Sequence, residues 1–183
     1  MLRLIRCGLL ACLLLGLSSC GFRLRGDFSL PDSIKTVQLN TTSHNTALKR
    51  SVEKRLKDYQ LQVVEGNQDG SAVDLVLTIL PDELDRRLLS LFTTGQVAEY
   101  ELVYSVAYHL QFVQTTATDE RIVGEAQTVE FDVTRDYQDD PDAVLAKSRE
   151  LDLVLGEMRQ QAAERIIRQI YTSYVNQQSH ATH

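Results

Sequence analysis

The residue in this chain with the clearest candidate chemistry is the cysteine at position 20. It ends the segment 17–20, Leu-Ser-Ser-Cys, which follows a mostly apolar, uncharged run and two early arginines. A positively charged start, a short apolar stretch and small residues before a cut are the layout of a secretory signal. Leu-Ser-Ser-Cys has the form of a bacterial lipobox, in which the cysteine is diacylated and its new amino terminus acylated again. The sequence therefore predicts a covalent lipid on Cys20, N-palmitoyl and S-diacylglycerol, and no other cofactor.

The apolar run at positions 7–17 predicts a cleaved signal and not a membrane span, because a spanning helix needs about 20 apolar residues. Several acyl chains make a durable anchor, since each buried CH₂ adds about 0.8 kcal/mol. In bacterial lipoproteins an aspartate after the cysteine favours the inner membrane, and this chain has Gly21. We therefore expect cleavage after residue 19 and lipid anchoring to the periplasmic side of the outer membrane. The alternative is an ordinary signal that a cysteine happens to follow.

Cysteine usage and charge exclude several classes of protein. Cys7 and Cys12 would leave with the signal, so the processed chain would hold no free thiol, no disulfide and no cysteine-ligated metal. Without Arg3 and Arg6, Lys plus Arg falls from 19 to 17 against 25 Asp plus Glu, a net charge of −8. A duplex nucleic-acid binder needs a basic surface. The balance therefore argues against a nucleic-acid partner, although it leaves room for a local basic pocket.

The other side chains with catalytic chemistry do not form the pattern of an enzyme. The sequence has no phosphate-binding loop, no dinucleotide-binding glycine motif and no His-Glu-x-x-His. Its acidic cluster at 139–142 is explained by the start of a helix, where carboxylates interact favourably with the helix dipole. The four histidines, at positions 44, 109, 180 and 183, are dispersed apart from the pair near the end. We therefore predict no catalytic residue and no metal site.

The elements that would carry these residues predict an α+β domain. Apolar residues occupy every second position from Ala98 to Phe112, which is typical of a long strand with one apolar face. Pro81 predicts that the strand before it is an edge strand or ends in a bulge. The remaining strands are predicted at 34–40, 62–65, 73–79, 88–92 and 121–137.

Two amphipathic helices are predicted to cover the apolar face of this sheet. The first has the stripe Leu48, Val52, Leu56 and Tyr59, separated by charged residues that indicate a solvated outer face. The second would begin at Asp140-Pro141, an N-cap followed by a proline at the first position, and carry its stripe from 151 to 174. We expect about four main strands, largely antiparallel. The predicted domain limits are 1–19 (signal), 20–33 (lipidated tether), 34–176 (α+β domain) and 177–183 (disordered tail).

Three stretches together resemble one family, the LPS-assembly lipoproteins LptE, also called RlpB. They are Cys-Gly-Phe-Arg-Leu-Arg-Gly at 20–26, Gly-Gln-Val-Ala-Glu-Tyr at 95–100, and Ala-Lys at 146–147 followed by Glu-Met at 157–158 and Ala-Ala-Glu at 162–164. The resemblance implies a non-enzymatic protein that sits inside the outer-membrane β-barrel LptD. Such a protein plugs the barrel, helps it assemble and assists the transport of lipopolysaccharide to the outer leaflet.

The resemblance also implies basic contacts to lipopolysaccharide. Family members use a basic side chain in the segment that matches 146–147, which makes Lys147 the first candidate. A second basic position of the family falls on Thr93, where this sequence departs from the pattern. Arg86 and Arg87 lie nearby and would replace the missing basic residue, since a guanidinium group can donate two parallel hydrogen bonds to a phosphate. A solvated surface lysine at position 147 is the alternative.

Two rival functions remain open at this stage. One is a lipid-anchored binding module for another envelope complex, either a pilot protein or a lipid carrier, and a carrier would have a large apolar cavity. The other is an enzyme, which a cleft gathering several perturbed carboxylates or histidines would support.

Overall fold

The computed structural model describes residues 30–44, 46–66, 73–115 and 121–181. The predicted lipidation site Cys20 and most of the tether therefore lie outside the described residues, and the predicted domain limits stay predictions. The described elements, in chain order, are β1 (Thr36–Thr41), α1 (Ala47–Asp58), β2 (Gln62–Val64), β3 (Leu75–Ile79), β4 (Glu83–Leu91), β5 (Val97–Thr115), β6 (Arg121–Val123), β7 (Gln127–Gln138) and α2 (Val144–Ala181).

The sheet is organised around the 19-residue strand β5. Strands β3 and β4 pair with β5 in succession, while β7 and the short β6 pair with it as well, all four antiparallel. Strand β1 lies between β2 and β3 and runs parallel to both. The sheet has seven strands, more than the four or so predicted, and β2 and β6 span only three residues each. The predicted α+β class and the largely antiparallel pairing are confirmed.

The two faces of β5 differ as its alternating sequence predicts. One set of alternate side chains is buried, namely Leu102, Tyr104, Val106, Tyr108, Leu110 and Phe112. The opposite face carries polar cross-strand pairs: Ser105 Oγ donates to Asp132 Oδ1 at 2.8 Å, and His109 Nδ1 lies 3.0 Å from Thr128 Oγ1. The first set belongs to the hydrophobic core, while the polar pairs remain exposed to solvent.

Both helices pack on the apolar face, as predicted, and they also pack against each other. Leu48, Val52 and Leu56 of α1 are fully buried. Helix α2 buries a longer stripe, namely Met158, Ala162, Ala163, Ile166, Ile167 and Ile170. These side chains form one cluster with those of the sheet. Neither helix of the described chain combines the length and the apolarity that crossing a bilayer requires.

Three strand predictions differ from the structure. Strand β4 begins at Glu83, five residues before the strand predicted at 88–92. Strand β3 lies in the interior of the sheet between β1 and β5, so the edge-strand alternative predicted from Pro81 is wrong. The bulge alternative is confirmed, because between the pairs Ile79–Tyr108 and Glu83–Ser105 the three residues 80–82 face only two residues of β5. Pro81 follows the last residue of β3 by two positions, where it removes no ladder hydrogen bond from that strand. The strand predicted at 121–137 is divided into β6 and β7, because the chain leaves regular pairing after Val123 and the Gly124 amide donates to the Phe112 carbonyl at 2.8 Å.

The last helix begins later and ends later than predicted. It starts at Val144 and not at Asp140-Pro141. The carboxylate of Asp140 accepts the amide of Asp142 at 3.0 Å, and that of Asp139 accepts the amide of Asp140 at 2.9 Å. Such local side-chain bonds compete with helix formation. At its other end α2 continues to Ala181, through most of the range predicted as a disordered tail.

Replacing each of two buried tyrosines of β5 by phenylalanine should affect the stability of the domain differently. The Tyr104 hydroxyl donates to Asp82, whereas the Tyr108 hydroxyl has no hydrogen-bond partner among the described residues. Burial raises the pKa of both phenols. Tyr104→Phe should lower the free energy of unfolding by about 1.5–3 kcal/mol, because it removes a bond to a charged group, while Tyr108→Phe should be neutral or stabilising. Urea unfolding of the two variants checks this, and a loss of equal size in both would contradict it.

Candidate functional site

The predicted candidate Lys147 lies at one end of the molecule, where four segments meet. These segments are the β4–β5 turn (Phe92–Gln96), the end of β7, residues 139–142 and the first turn of α2. We call this region, together with the adjoining end of β4 (Leu88–Leu91), the hairpin end. The four segments line an open cavity of about 540 Å³. The turn depends on Gly95, which has φ of +84° and whose amide donates to the Phe92 carbonyl at 2.9 Å. Thr93, the position where the sequence departs from the family pattern, lines the same cavity.

Tyr137 of β7 fixes the first turns of α2 and with them the position of Lys147. Its hydroxyl donates to the backbone carbonyl of Lys147 at 2.6 Å, and the Lys147 ammonium lies 5.3 Å from the centre of its ring. A cation over an aromatic face is attracted to the π electrons. Burial raises the pKa of the Tyr137 phenol, and the positive charges of Lys147 and Arg86 act against that rise. Tyr137 therefore contacts Lys147 twice, through the backbone carbonyl and through the ammonium.

The charges around Lys147 are mainly negative. Its ammonium is 2.9 Å from Glu150 Oε2, and this hydrogen bond raises the pKa of the lysine. The cavity is also lined by three aspartates, at positions 139, 140 and 142. A phosphate approaching Lys147 would thus have to share the ammonium with Glu150 and tolerate the aspartates. The geometry makes Lys147 a cation in a mixed environment and not the centre of a basic pocket.

The two predicted arginines point in opposite directions, because consecutive residues of a strand face opposite sides of the sheet. Arg86 is opposite Leu102 and lies on the face that carries the helices, near Tyr137. Arg87 is opposite Glu101 on the other face, 3.6 Å from the carboxylate of Glu101 and 3.7 Å from that of Asp85. The structure therefore brings Arg86, and not Arg87, to the side of Lys147. The roles of all three in binding lipopolysaccharide stay predictions.

The hairpin end also exposes large apolar side chains. Leu88 is 55% exposed and Leu91 54% exposed on β4, and Phe92 follows at 44%. At the start of α2, Val144 is 66% exposed and Leu145 80% exposed. Leu88 joins the site through its neighbours, since it pairs with Tyr100, which in turn pairs with Tyr137. Contiguous exposed apolar residues of this kind mark a surface for a partner or an amphiphile.

This apolar surface was missed by the sequence analysis. Its signal is the segment 88–92, Leu-Leu-Ser-Leu-Phe, in which apolar residues do not alternate as they do in a half-buried strand. Within the described ranges, no group of three or more His, Cys, Asp or Glu is arranged to hold a metal ion. The concavities found there are open to the surface, and the space between sheet and helices is occupied by buried side chains. A lipid carrier would instead enclose an apolar cavity.

The chain is similar in sequence to proteins of lipopolysaccharide assembly. The sequence model of the lipopolysaccharide-assembly family LptE matches residues 34–170. The LPS-assembly lipoprotein LptE of Photorhabdus laumondii is 33% identical over 165 residues, which cover 87% of this chain and 84% of the relative. That of Pectobacterium atrosepticum is 31% identical over 156 residues, which cover 85% of this chain and 78% of the relative.

Solved structures show the same fold. The crystal structure of the rare lipoprotein B of Shewanella oneidensis superimposes with a TM-score of 0.64 at 36% identity, covering 79% of this chain and 99% of that one. The solution structure of a lipoprotein B from Nitrosomonas europaea superimposes with a TM-score of 0.62 at 25% identity, covering 87% and 96%. This chain thus shares its overall fold with these two structures.

Proposed function

The chain belongs to the LptE family of lipopolysaccharide-assembly lipoproteins, a non-enzymatic family, and from this premise we propose that it plugs and helps assemble the outer-membrane β-barrel LptD and assists lipopolysaccharide transport to the outer leaflet. In this proposal the acylated Cys20 holds the body at the periplasmic side of the outer membrane. The polar face of the sheet suits a water-filled barrel lumen, whose interior is polar.

The observation that carries the proposal is the exposed apolar surface of the hairpin end. Leu88, Leu91 and Phe92 project from a hairpin whose outer strand, β4, pairs on one side only, with β5, among the described residues. Free apolar side chains are costly to leave in water, and a second protein can bury them. We assign this surface to contact with the wall or a loop of LptD, and the neighbouring Lys147 and Arg86 to lipopolysaccharide phosphates.

The first test is purification of the tagged, lipidated protein from its native outer membrane in mild detergent, with mass spectrometry of the bound material. We expect LptD as a single large partner at equal stoichiometry. Recovery of a different secretion complex would contradict the proposal and favour a binding module or pilot of another envelope machine.

Charge reversal of Lys147 tests the lipopolysaccharide contact separately. Lys147→Glu should weaken binding of purified lipopolysaccharide by about tenfold, because it removes a hydrogen bond to a charged group and adds repulsion. Arg149→Glu is the matched control, since Arg149 is an exposed residue of the same helix and the change in charge is identical. If Lys147→Glu leaves lipopolysaccharide binding unchanged while LptD still co-purifies, the contact is wrong and the plug function is not.

A further inference from the structure

A basic cleft lies between the two helices, away from the hairpin end. It has a volume of about 390 Å³ and is lined by residues of both helices, namely Ala47, Arg50, Ser51, Lys54, Arg55, Asp58, Gly156, Arg159, Gln160 and Ala163. Two small residues of α2, Gly156 and Ala163, leave space between the helices that larger side chains would fill. A Cβ atom on Gly156 would meet nothing within 4 Å, and Ala163 is buried against the core. The cleft thus contains four basic side chains and one acidic side chain.

This concentration of positive charge contrasts with the acidic chain. Helix α1 has five basic and two acidic residues, whereas the whole chain has a net charge of −6. Ion pairs neutralise only one of the four cleft cations. Arg55 lies 2.7 Å from Glu164 Oε2 and 3.6 Å from Asp58 Oδ2. Arg50, Lys54 and Arg159 form no ion pair with any described carboxylate, so the cleft keeps an excess of positive charge.

The Arg159 side chain is shared between the core and the cleft. Its guanidinium forms a hydrogen bond with the buried Tyr104 phenol, and its positive charge acts against the rise in the pKa of that phenol. Arg159 also lines the cleft. Ser51 and Gln160 provide further polar groups on the cleft wall. Guanidinium groups of arginine and the ammonium group of lysine are the groups that typically bind phosphate oxygens in proteins.

The cleft is also close to where the described chain begins. Its residue Asp58 also lines a neighbouring concavity, together with Leu30 and Pro31. Cys20 precedes Leu30 by ten residues, which extend to about 35 Å at most. An acyl chain on Cys20 would therefore keep this side of the body within reach of lipid headgroups.

We infer that the cleft between α1 and α2 binds the phosphate of an anionic phospholipid headgroup in the membrane that holds the anchor. The inference rests on the proposed lipid anchor and is independent of LptD. Binding would give the body a second attachment to the membrane besides the lipid on Cys20. Each basic side chain near an anionic surface contributes about a fivefold gain in affinity.

Since the processed chain is predicted to hold no cysteine but the acylated Cys20, a single introduced thiol reports on the cleft. The lipidated Ser51→Cys protein is reconstituted in liposomes of phosphatidylcholine alone or with phosphatidylglycerol, and its rate of maleimide labelling is measured. We expect labelling to be about fivefold slower with phosphatidylglycerol at low salt, and the difference to disappear at high salt. A thiol introduced by Thr134→Cys, exposed on the other face of the sheet, should label equally in both.

Removing positive charge from the cleft tests whether the cleft causes the slower labelling. Adding Arg50→Gln and Lys54→Gln to the Ser51→Cys protein should abolish the protection of the thiol by phosphatidylglycerol. Lys57→Gln, on the same helix but outside the cleft, should leave this protection intact. Equal labelling in both liposomes, or protection that survives the double substitution, would overturn the inference. Protection by pyrophosphate in phosphatidylcholine liposomes without any effect of phosphatidylglycerol would assign the cleft to a soluble phosphate and overturn the lipid ligand.

Flotation of the unsubstituted protein with phosphatidylcholine liposomes tests the anchor separately. If it does not float, the anchor proposal fails. The cleft is then tested by adding the Ser51→Cys protein to phosphatidylglycerol liposomes from solution, where an unchanged rate of maleimide labelling overturns the inference.

Discussion

Replacing Leu88 and Leu91 together by glutamate is expected to remove LptD from the material that co-purifies with the chain. Both side chains are more than half exposed in the described structure, so the substitutions cost the isolated fold little. In an interface they would place two carboxylates where apolar contacts are expected. Truncating a central interface residue costs about 2 kcal/mol or more, and burying an unpaired charge costs further free energy. We expect at least a tenfold loss of co-purified LptD, measured by quantitative mass spectrometry.

The matched control for this prediction is Leu153→Glu. Leu153 is 71% exposed on α2, so the change of an apolar side chain to a carboxylate is the same, but the position is outside the hairpin end. LptD recovery should be unchanged in this variant. Full recovery with the double variant, or equal loss in both, would show that the apolar surface of the hairpin end is not where the barrel binds.

Replacing Ile166 by alanine is expected to lower the free energy of unfolding by about 2–5 kcal/mol. Ile166 is fully buried on the inner face of α2, and its loss leaves a cavity between that helix and the sheet. A domain of ordinary stability has about 5–15 kcal/mol in total, so this single change removes a large part of it.

Chemical unfolding in urea, followed by far-UV circular dichroism, measures this effect. Leu153→Ala on the same helix is the control, because it removes a similar side chain from an exposed position, and it should change stability by less than about 0.5 kcal/mol. An effect of Ile166→Ala as small as that of the control would mean that α2 contributes little to the core.

The sequence could predict β5 and the buried face of each helix because the signal is local and long. Alternation from Ala98 to Phe112 repeats over enough residues to specify both the strand and its inner face. The partners of β5 could not be predicted in the same way, since pairing joins residues far apart in the chain. The error at Pro81 has this origin: a proline rules out certain pairings only where its nitrogen faces a neighbour, and that depends on where the strand ends.

The candidate site was predictable only in part, for a similar reason. The resemblance pointed to Lys147, but its surroundings are assembled from the turn at 92–96 and the end of β7, which are distant in sequence. The opposite directions of Arg86 and Arg87 follow from strand geometry once β4 is known to extend through them. The start of α2 depended on a competition between a helix cap and the local hydrogen bonds of Asp139 and Asp140, which composition does not decide.

In the proposed export of the chain, the placement of α2 has a consequence for how the domain acquires its structure. Strands β4, β5 and β7 all lie within residues 83–138, so they could pair as soon as this segment had crossed the inner membrane. Their apolar face, however, is covered in large part by Met158, Ile166 and Ile170, which emerge last. Until then the paired strands would present an apolar surface to the periplasm, and we expect the translocating chain to be most sensitive to proteases in the interval before α2 arrives.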